Sequence, residues 1–233
     1  MFLIEILSYM NNISRISSII LTIPVALLAL TVHEVAQGYA AYKMGDPTAR
    51  NSGRLSLNPL KHLDPLGALC MLFFHFGWAK PVPINSRNFR NPRCGTAITA
   101  IAGPVSNFII AFVSIIFWHV LVAILNLFPA NYEMTAFTCK FLAYVLVFFQ
   151  ISVSLNVSLG IFNMLPIPPL NGSRVLFVFL PVKYYFGIMK YERYISLGLL
   201  LLLYSGFLDA PLAFLVSNII QGMEFIVNLI PFI

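Results

Sequence analysis

Four long tracts of this chain run almost without charge, and such tracts leave little choice but to cross a bilayer as helices. Residues 16–32 are uncharged, and their pattern continues helically to 44, interrupted by His33, Glu34 and Lys43. Residues 96–132 and 141–173 carry no formal charge at neutral pH, and 194–233 contains only Asp209 and Glu224. Each reaches the ~20 residues that a bilayer helix needs, and the last is long enough for two, broken at Asp209-Ala210-Pro211. With 59% hydrophobic residues and 9% charged, the chain is far from the ~25% charge of soluble domains, so a water-soluble globule is excluded. The fold class expected is an all-α polytopic membrane protein, a helical bundle, organised as one intramembrane domain over residues 1–233.

The charges that remain say how the bundle sits. Fourteen Lys and Arg against eight Asp and Glu give +6, but the basic residues cluster between the apolar tracts and form no basic face. Nucleic acid is therefore not an expected partner. Lys43, Arg50, Arg54, Lys61, Lys80, Arg87, Arg90 and Arg93 fall between the first two long tracts, and Arg174, Lys183, Lys190 and Arg193 follow the third. The positive-inside rule puts both groups in the cytoplasm. A multi-pass cell-membrane protein results, with His33 and Glu34 near the cytoplasmic end of the first span. That arrangement requires a short fifth tract, 66–79, to be re-entrant or interfacial, not spanning. The first apolar run is read as a membrane helix and not a cleaved signal peptide, because Glu5 is wrong for a basic leader and the helical pattern continues past the run.

The 45–92 connection is too structured for a linker. Residues 53–58 alternate like a short strand, and 78–85 reads as a proline-tolerant edge strand, so a small β-rich re-entrant region is expected. Asp46-Pro47, Asp64-Pro65 and Asn91-Pro92 mark turns. Cys70, Cys94 and Cys139 are odd in number and lack C-x-x-C spacing, which points to neither a disulfide framework nor a zinc finger.

An ionisable pair in the last third of a membrane helix is costly and is by default a functional feature. His33-Glu34-Val35-Ala36-Gln37 is the H-E-x-x-H pattern with the second His replaced by Gln. In that pattern two imidazoles at i and i+4 share a helix face and hold zinc, while the Glu activates metal-bound water.

Several further stretches accompany it: Gly45-Asp46-Pro47-Thr48-Ala49-Arg50, Gly53-Arg54-Leu55-Ser56-Leu57-Asn58-Pro59, His62-Leu63-Asp64-Pro65-Leu66-Gly67, Gly77-Trp78-Ala79-Lys80-Pro81-Val82-Pro83, Ala102-Gly103-Pro104-Val105-Ser106-Asn107, and 162–172 ending Pro168-Pro169-Leu170-Asn171-Gly172. Together with the first motif, these residues resemble the site-2 protease family of intramembrane zinc metalloproteases, in its short bacterial form without a PDZ domain. The resemblance implies a zinc-dependent endopeptidase that cuts the transmembrane segment of a protein substrate. It assigns Glu34 as general base and His33 as a zinc ligand. The other two ligands, His and Asp in the family, fall on Gln37 and Asn171. His62 is a further candidate ligand, and Asn107 and Asn163 are candidate substrate-binding residues.

Those two departures raise a rival function. A His₂Asp set gives zinc two nitrogens and one negative charge, whereas His33 with two neutral amides leaves the charge of the dication uncompensated. The alternative is a pseudoprotease that binds transmembrane segments or a membrane partner without cutting them. A transporter is disfavoured, since there is no matched pair of broken helices and too few intramembrane charges for a relay.

Overall fold

The computed structural model describes residues 2–64, 67, 80–129, 134–176 and 178–230. Nine α-helices are seen among them: α1 (Phe2–Asn11), α2 (Arg15–Met44), α3 (Thr48–Asn51), α4 (Pro92–Asn126), α5 (Ala136–Met164), α6 (Asn171–Leu176), α7 (Val182–Met189), α8 (Glu192–Tyr204) and α9 (Asp209–Asn228). Of these α2, α4, α5 and α9 are long and apolar enough to cross a membrane. The three longest begin where a side chain caps the first free backbone donors. Ser14 accepts from Ser17 N, Asn91 from Cys94 N and Thr135 from Thr138 N.

Tract ends shift where proline intervenes. The tract over 141–173 closes at Met164, because Pro166, Pro168 and Pro169 follow and cannot continue the helical ladder. The last tract breaks between Tyr204 and Asp209, next to the predicted site, but its first half, α8, has only 13 residues, about 20 Å at 1.5 Å per residue, too short to span. Pro104 lies within α4, which continues to Asn126.

Two apolar clusters join the helices. Phe2 and Ile6 of α1 pack with Leu125 of α4 and Cys139, Ala143 and Leu146 of α5. Ala111 and Ile115 of α4 pack with Val153, Val157 and Ile161 of α5 and Val227 of α9. Between α4 and α5 the buried hydroxyls of Ser114 and Ser152 lie 2.9 Å apart, and Gly160 lies against the ring of Phe108. These two points set the antiparallel register, with Asn107 level with Gly160.

The expected β-rich region is not what the described residues form. Neither 53–58 nor 80–85 is a strand, and Leu63 makes only an isolated bridge. The reason is where the backbone groups go. Pro81 and Pro83 have no N–H, the Val82 N–H goes to the Glu34 carboxylate, and the Asn85 N–H goes to Asp46. The Arg54 guanidinium takes the Lys80 carbonyl. Side chains thus hold this extended segment in place of a ladder. The proposed re-entrant stretch at 66–79 lies outside the described residues, Gly67 excepted.

After α5 the chain folds back sharply so that α6 starts against its end. A Cβ on Gly172 would lie 2.2 Å from the Met164 carbonyl oxygen and 2.4 Å from that of Leu165, so only glycine allows this approach. Gly172→Ala is expected to destabilise the protein by about 1–3 kcal/mol, the usual cost of forcing extra volume into a packed site. A melting curve in detergent that matches the parent would show that the backbone approach is not needed.

Candidate active site

Helix periodicity puts His33 and Gln37 on one face of α2, and both are buried against α4. Gly103 of α4 makes room for them: a Cβ there would lie 2.4 Å from His33 Nε2 and 2.7 Å from Gln37 Nε2. Gly103 thus serves the close approach of α2 to α4. The third residue, Asn171, arrives from α6, 138 positions away from His33.

The imidazole of His33 is the hub. Its Nδ1 lies 3.2 Å from Oδ1 of Asn107, which fixes the tautomer: Nδ1–H donates and Nε2 keeps its lone pair. The Gln37 amide nitrogen lies 2.7 Å from Nε2 and that of Asn171 3.1 Å. The three positions that the resemblance assigns to metal ligands are therefore gathered around one nitrogen lone pair, and two amide N–H groups donate to it. Asn107 is fully buried, and its Nδ2 has no partner among the described residues.

Glu34 points another way. Its Oε2 accepts the Val82 N–H at 2.7 Å, tying α2 to the extended segment. That segment is held in turn by Arg54, for which sequence reading gave no role, and by Asp46, which it read only as part of a turn. Arg54, nearly buried, donates through Nη2 to the carbonyls of Lys80 and Pro81. Asp46, fully buried just past the end of α2, accepts from Thr48 N at 3.1 Å, Asn85 N at 2.7 Å and Asn88 Nδ2 at 2.8 Å, as well as from the Thr48 hydroxyl. A usable signal was present, because a charged residue between Gly45 and Pro47 is a typical anchor of a tight turn.

Other sequence candidates sit apart from the hub. His62 is buried and donates through Nε2 to the Ser56 carbonyl at 2.8 Å, and its Nδ1 has no partner among the described residues. Burial holds its pKa below the ordinary histidine value, which favours the neutral ring. Asn163 turns back to the Leu159 carbonyl at 3.0 Å. Among the described residues no group of three or more His, Cys, Asp or Glu is placed to hold a metal.

With this geometry in view, comparison with known proteins is informative. The model of peptidase family M50 matches residues 21–205, most of the chain. The chain belongs to peptidase family M50. This is the site-2 protease family, and the four apolar helices accordingly make the chain a multi-pass membrane protein. It is 44% identical over 150 residues to a Bacillus subtilis (strain 168) protein named "Putative zinc metalloprotease YwhC", a match covering 64% of this chain and 64% of that one. The chain thus spans somewhat less than two thirds of this M50 relative's length. No solved structure matches. Zinc is the metal that the relative's name and the family imply.

Asp46 offers a test of the loop anchor. Burial raises its pKa, but hydrogen bonds from Thr48, Asn85 and Asn88 outweigh that and hold it below the ordinary value. A depressed carboxylate pKa contributes stability that is present above the unfolded value of about 3.9 and is lost as pH falls through the folded pKa. Asp46→Asn is therefore expected to melt lower than the parent at pH 7, with the gap closing toward pH 3. A gap independent of pH would show that the charge is not what anchors the loop.

Proposed function

We propose that this M50 protein is a pseudoprotease: it keeps the frame with which the family holds a transmembrane segment and has given up metal-dependent cleavage. The observation that carries the reading is the convergence of Gln37 and Asn171 on His33 Nε2. By the resemblance these are ligand positions, yet here they offer one ring nitrogen and two neutral amides. Amide N–H groups donate to the lone pair that a metal would use. Turned to present their oxygens, the amides would bring no negative charge, and holding a dication in a poorly solvated site without one costs several kcal/mol even after relaxation. This donor set does not fit zinc.

The remaining residues then take structural roles. His33, Gln37, Asn107 and Asn171 form a hydrogen-bonded cluster that joins α2, α4 and α6. Glu34, the base by resemblance, anchors the extended segment through Val82. His62 braces the same loop, and Asn163 belongs to the end of α5. The partner of such a protein is a transmembrane segment of another membrane protein.

The test is zinc content. The purified chain is expected to hold well under one zinc, and Gln37→His with Asn171→Asp is expected to raise it to about one per chain, because the pair restores two imidazoles and one anion. Each single change is expected to do less than the double, since both ligands share one coordination sphere. Near-stoichiometric zinc in the unmodified chain, with chelator-sensitive cleavage of a reporter segment that Glu34→Gln abolishes, would overturn the proposal and restore the protease reading.

The orientation proposed with this function places both basic connections and the His33 end of α2 in the cytoplasm. Cys94 is exposed in the first turn of α4, beside the basic connection, while Cys139 is buried. In a chain with Cys70 and Cys139 replaced, an impermeant maleimide is expected to spare Cys94 in intact cells and to label it after lysis. Labelling before lysis would reverse the orientation.

A further inference from the structure

The polar residues of α5 divide between two faces, and on the outer one two side chains have no partner among the described residues. Ser152 and Asn156 point inward: Ser152 meets Ser114 of α4, and Asn156 donates to the Ser152 carbonyl. Gln150, Ser154 and Ser158, spaced i, i+4 and i+8, share a different face and are exposed. Ser158 satisfies its hydroxyl on the Ser154 carbonyl, but the side chains of Gln150 and Ser154 have no partner among the described residues. A glutamine turned toward hydrocarbon without a partner is unfavourable. Something other than lipid is expected to cover it.

The surroundings of this face have the shape of a slot. On one side a groove of about 550 Å³ is lined by Thr22 of α2 with Gln150, Ser154 and Ser158. On the other a cavity of about 260 Å³ is lined by Trp118 and His119 of α4 and Glu224 of α9, again with Gln150 and Ser154. The two adjoin at those two residues. The second adds unmet polarity: the Trp118 indole N–H is buried without an acceptor among the described residues. His119 donates through Nδ1 to the Ile115 carbonyl, which leaves Nε2 as an acceptor.

The slot also reaches the level of the candidate site along the helices. Gly160 is level with Asn107, which is bonded to His33, so Ser158 lies within one helical turn of the hub's height. Gln150 is two turns farther along, about 12 Å at 1.5 Å per residue. The α2 and α5 helices run parallel here, since Tyr144 meets Ser17 and Gln150 shares the groove with Thr22. A helix laid along α5 between α2 and α9 would therefore run down to the level of His33 and Glu34.

We infer that this slot is the docking site for a transmembrane helix of a partner protein, one that carries hydrogen-bonding side chains at four-residue steps and a basic residue beyond them to meet Glu224. The inference rests on the proposed function, in that the segment bound there is the one the M50 frame holds. Recognition uses side chains rather than strand addition, in keeping with the way the 80–85 backbone is already taken up by Glu34, Asp46 and Arg54.

The experiment uses the full chain in phosphatidylcholine vesicles, with an acceptor dye on Cys94 and Cys70 and Cys139 replaced. The probe is a synthetic Leu/Ala helix of about 22 residues carrying Asn, Ser and Ser at four-residue steps and a Lys one turn beyond, labelled with a donor dye. Two or three interhelical hydrogen bonds are expected to give about tenfold tighter association than the same helix with Leu at those positions. Gln150→Leu with Ser154→Ala and Ser158→Ala is expected to remove that preference without lowering the melting temperature. Equal binding of the two helices, or a preference that survives the triple change, overturns the inference. So does a triple change that alters only association between differently labelled copies of the chain, which would make a second copy the occupant. Because the probe needs neither metal nor Glu34, the zinc measurement judges the pseudoprotease reading separately.

Discussion

One imidazole joins the functional end of this bundle. His33 is bonded to Asn107 on α4, to Gln37 on its own helix and to Asn171 on α6, so three separate segments meet through one buried ring. At membrane depth no water is available to replace a lost partner, and each unsatisfied polar group there costs several kcal/mol. That cost requires the amides to find the ring. It also explains the two glycines nearby: Gly103 gives the imidazole room against α4, and Gly172 lets α6 begin close enough for Asn171 to reach it.

A second tie joins α2 to the loop that follows it. Glu34 and Asp46, one inside the end of α2 and one just beyond it, each accept a backbone N–H from the extended segment at 80–85. The segment is thereby fastened to α2 at two points three residues apart, and Arg54 holds its carbonyls from the other side. In a metalloprotease the carboxylate beside the first histidine is a base. Here its Oε2 accepts the Val82 N–H, which under the proposed function makes it an anchor.

The two faces of α5 show how a membrane helix with one polarity can serve two purposes. Its inward hydroxyl at Ser152 locks α5 to α4 through Ser114, an interhelical bond of the kind that stabilises helix pairs in lipid. Of its outward residues, the Gln150 and Ser154 side chains have no partner among the described residues, and one of the two cavities beside them is lined by His119 of α4 and Glu224 of α9. The place of His119 beside Gln150 depends on how α4 and α5 pack, which no local pattern reveals.

Hydropathy alone determined that this chain crosses a membrane and roughly where its long helices run, because an uncharged tract of sufficient length has one stable form in lipid. Spacing alone put His33 and Gln37 on one face, and motif order pointed to the family and to Asn171, since a helix has a fixed period and a motif survives without its surroundings. Tertiary structure decided the rest. Side chains captured the N–H groups of Val82 and Asn85, which turned an expected edge strand into an extended tether; their partners, Glu34 and Asp46, are 48 and 39 residues away in sequence. Packing likewise made Gly103 a contact for His33 and bonded Asn107 to His33. It also drew Gln37 and Asn171 to the same nitrogen. Such outcomes depend on which buried donors find which acceptors across distant segments, and only the folded chain brings those segments together.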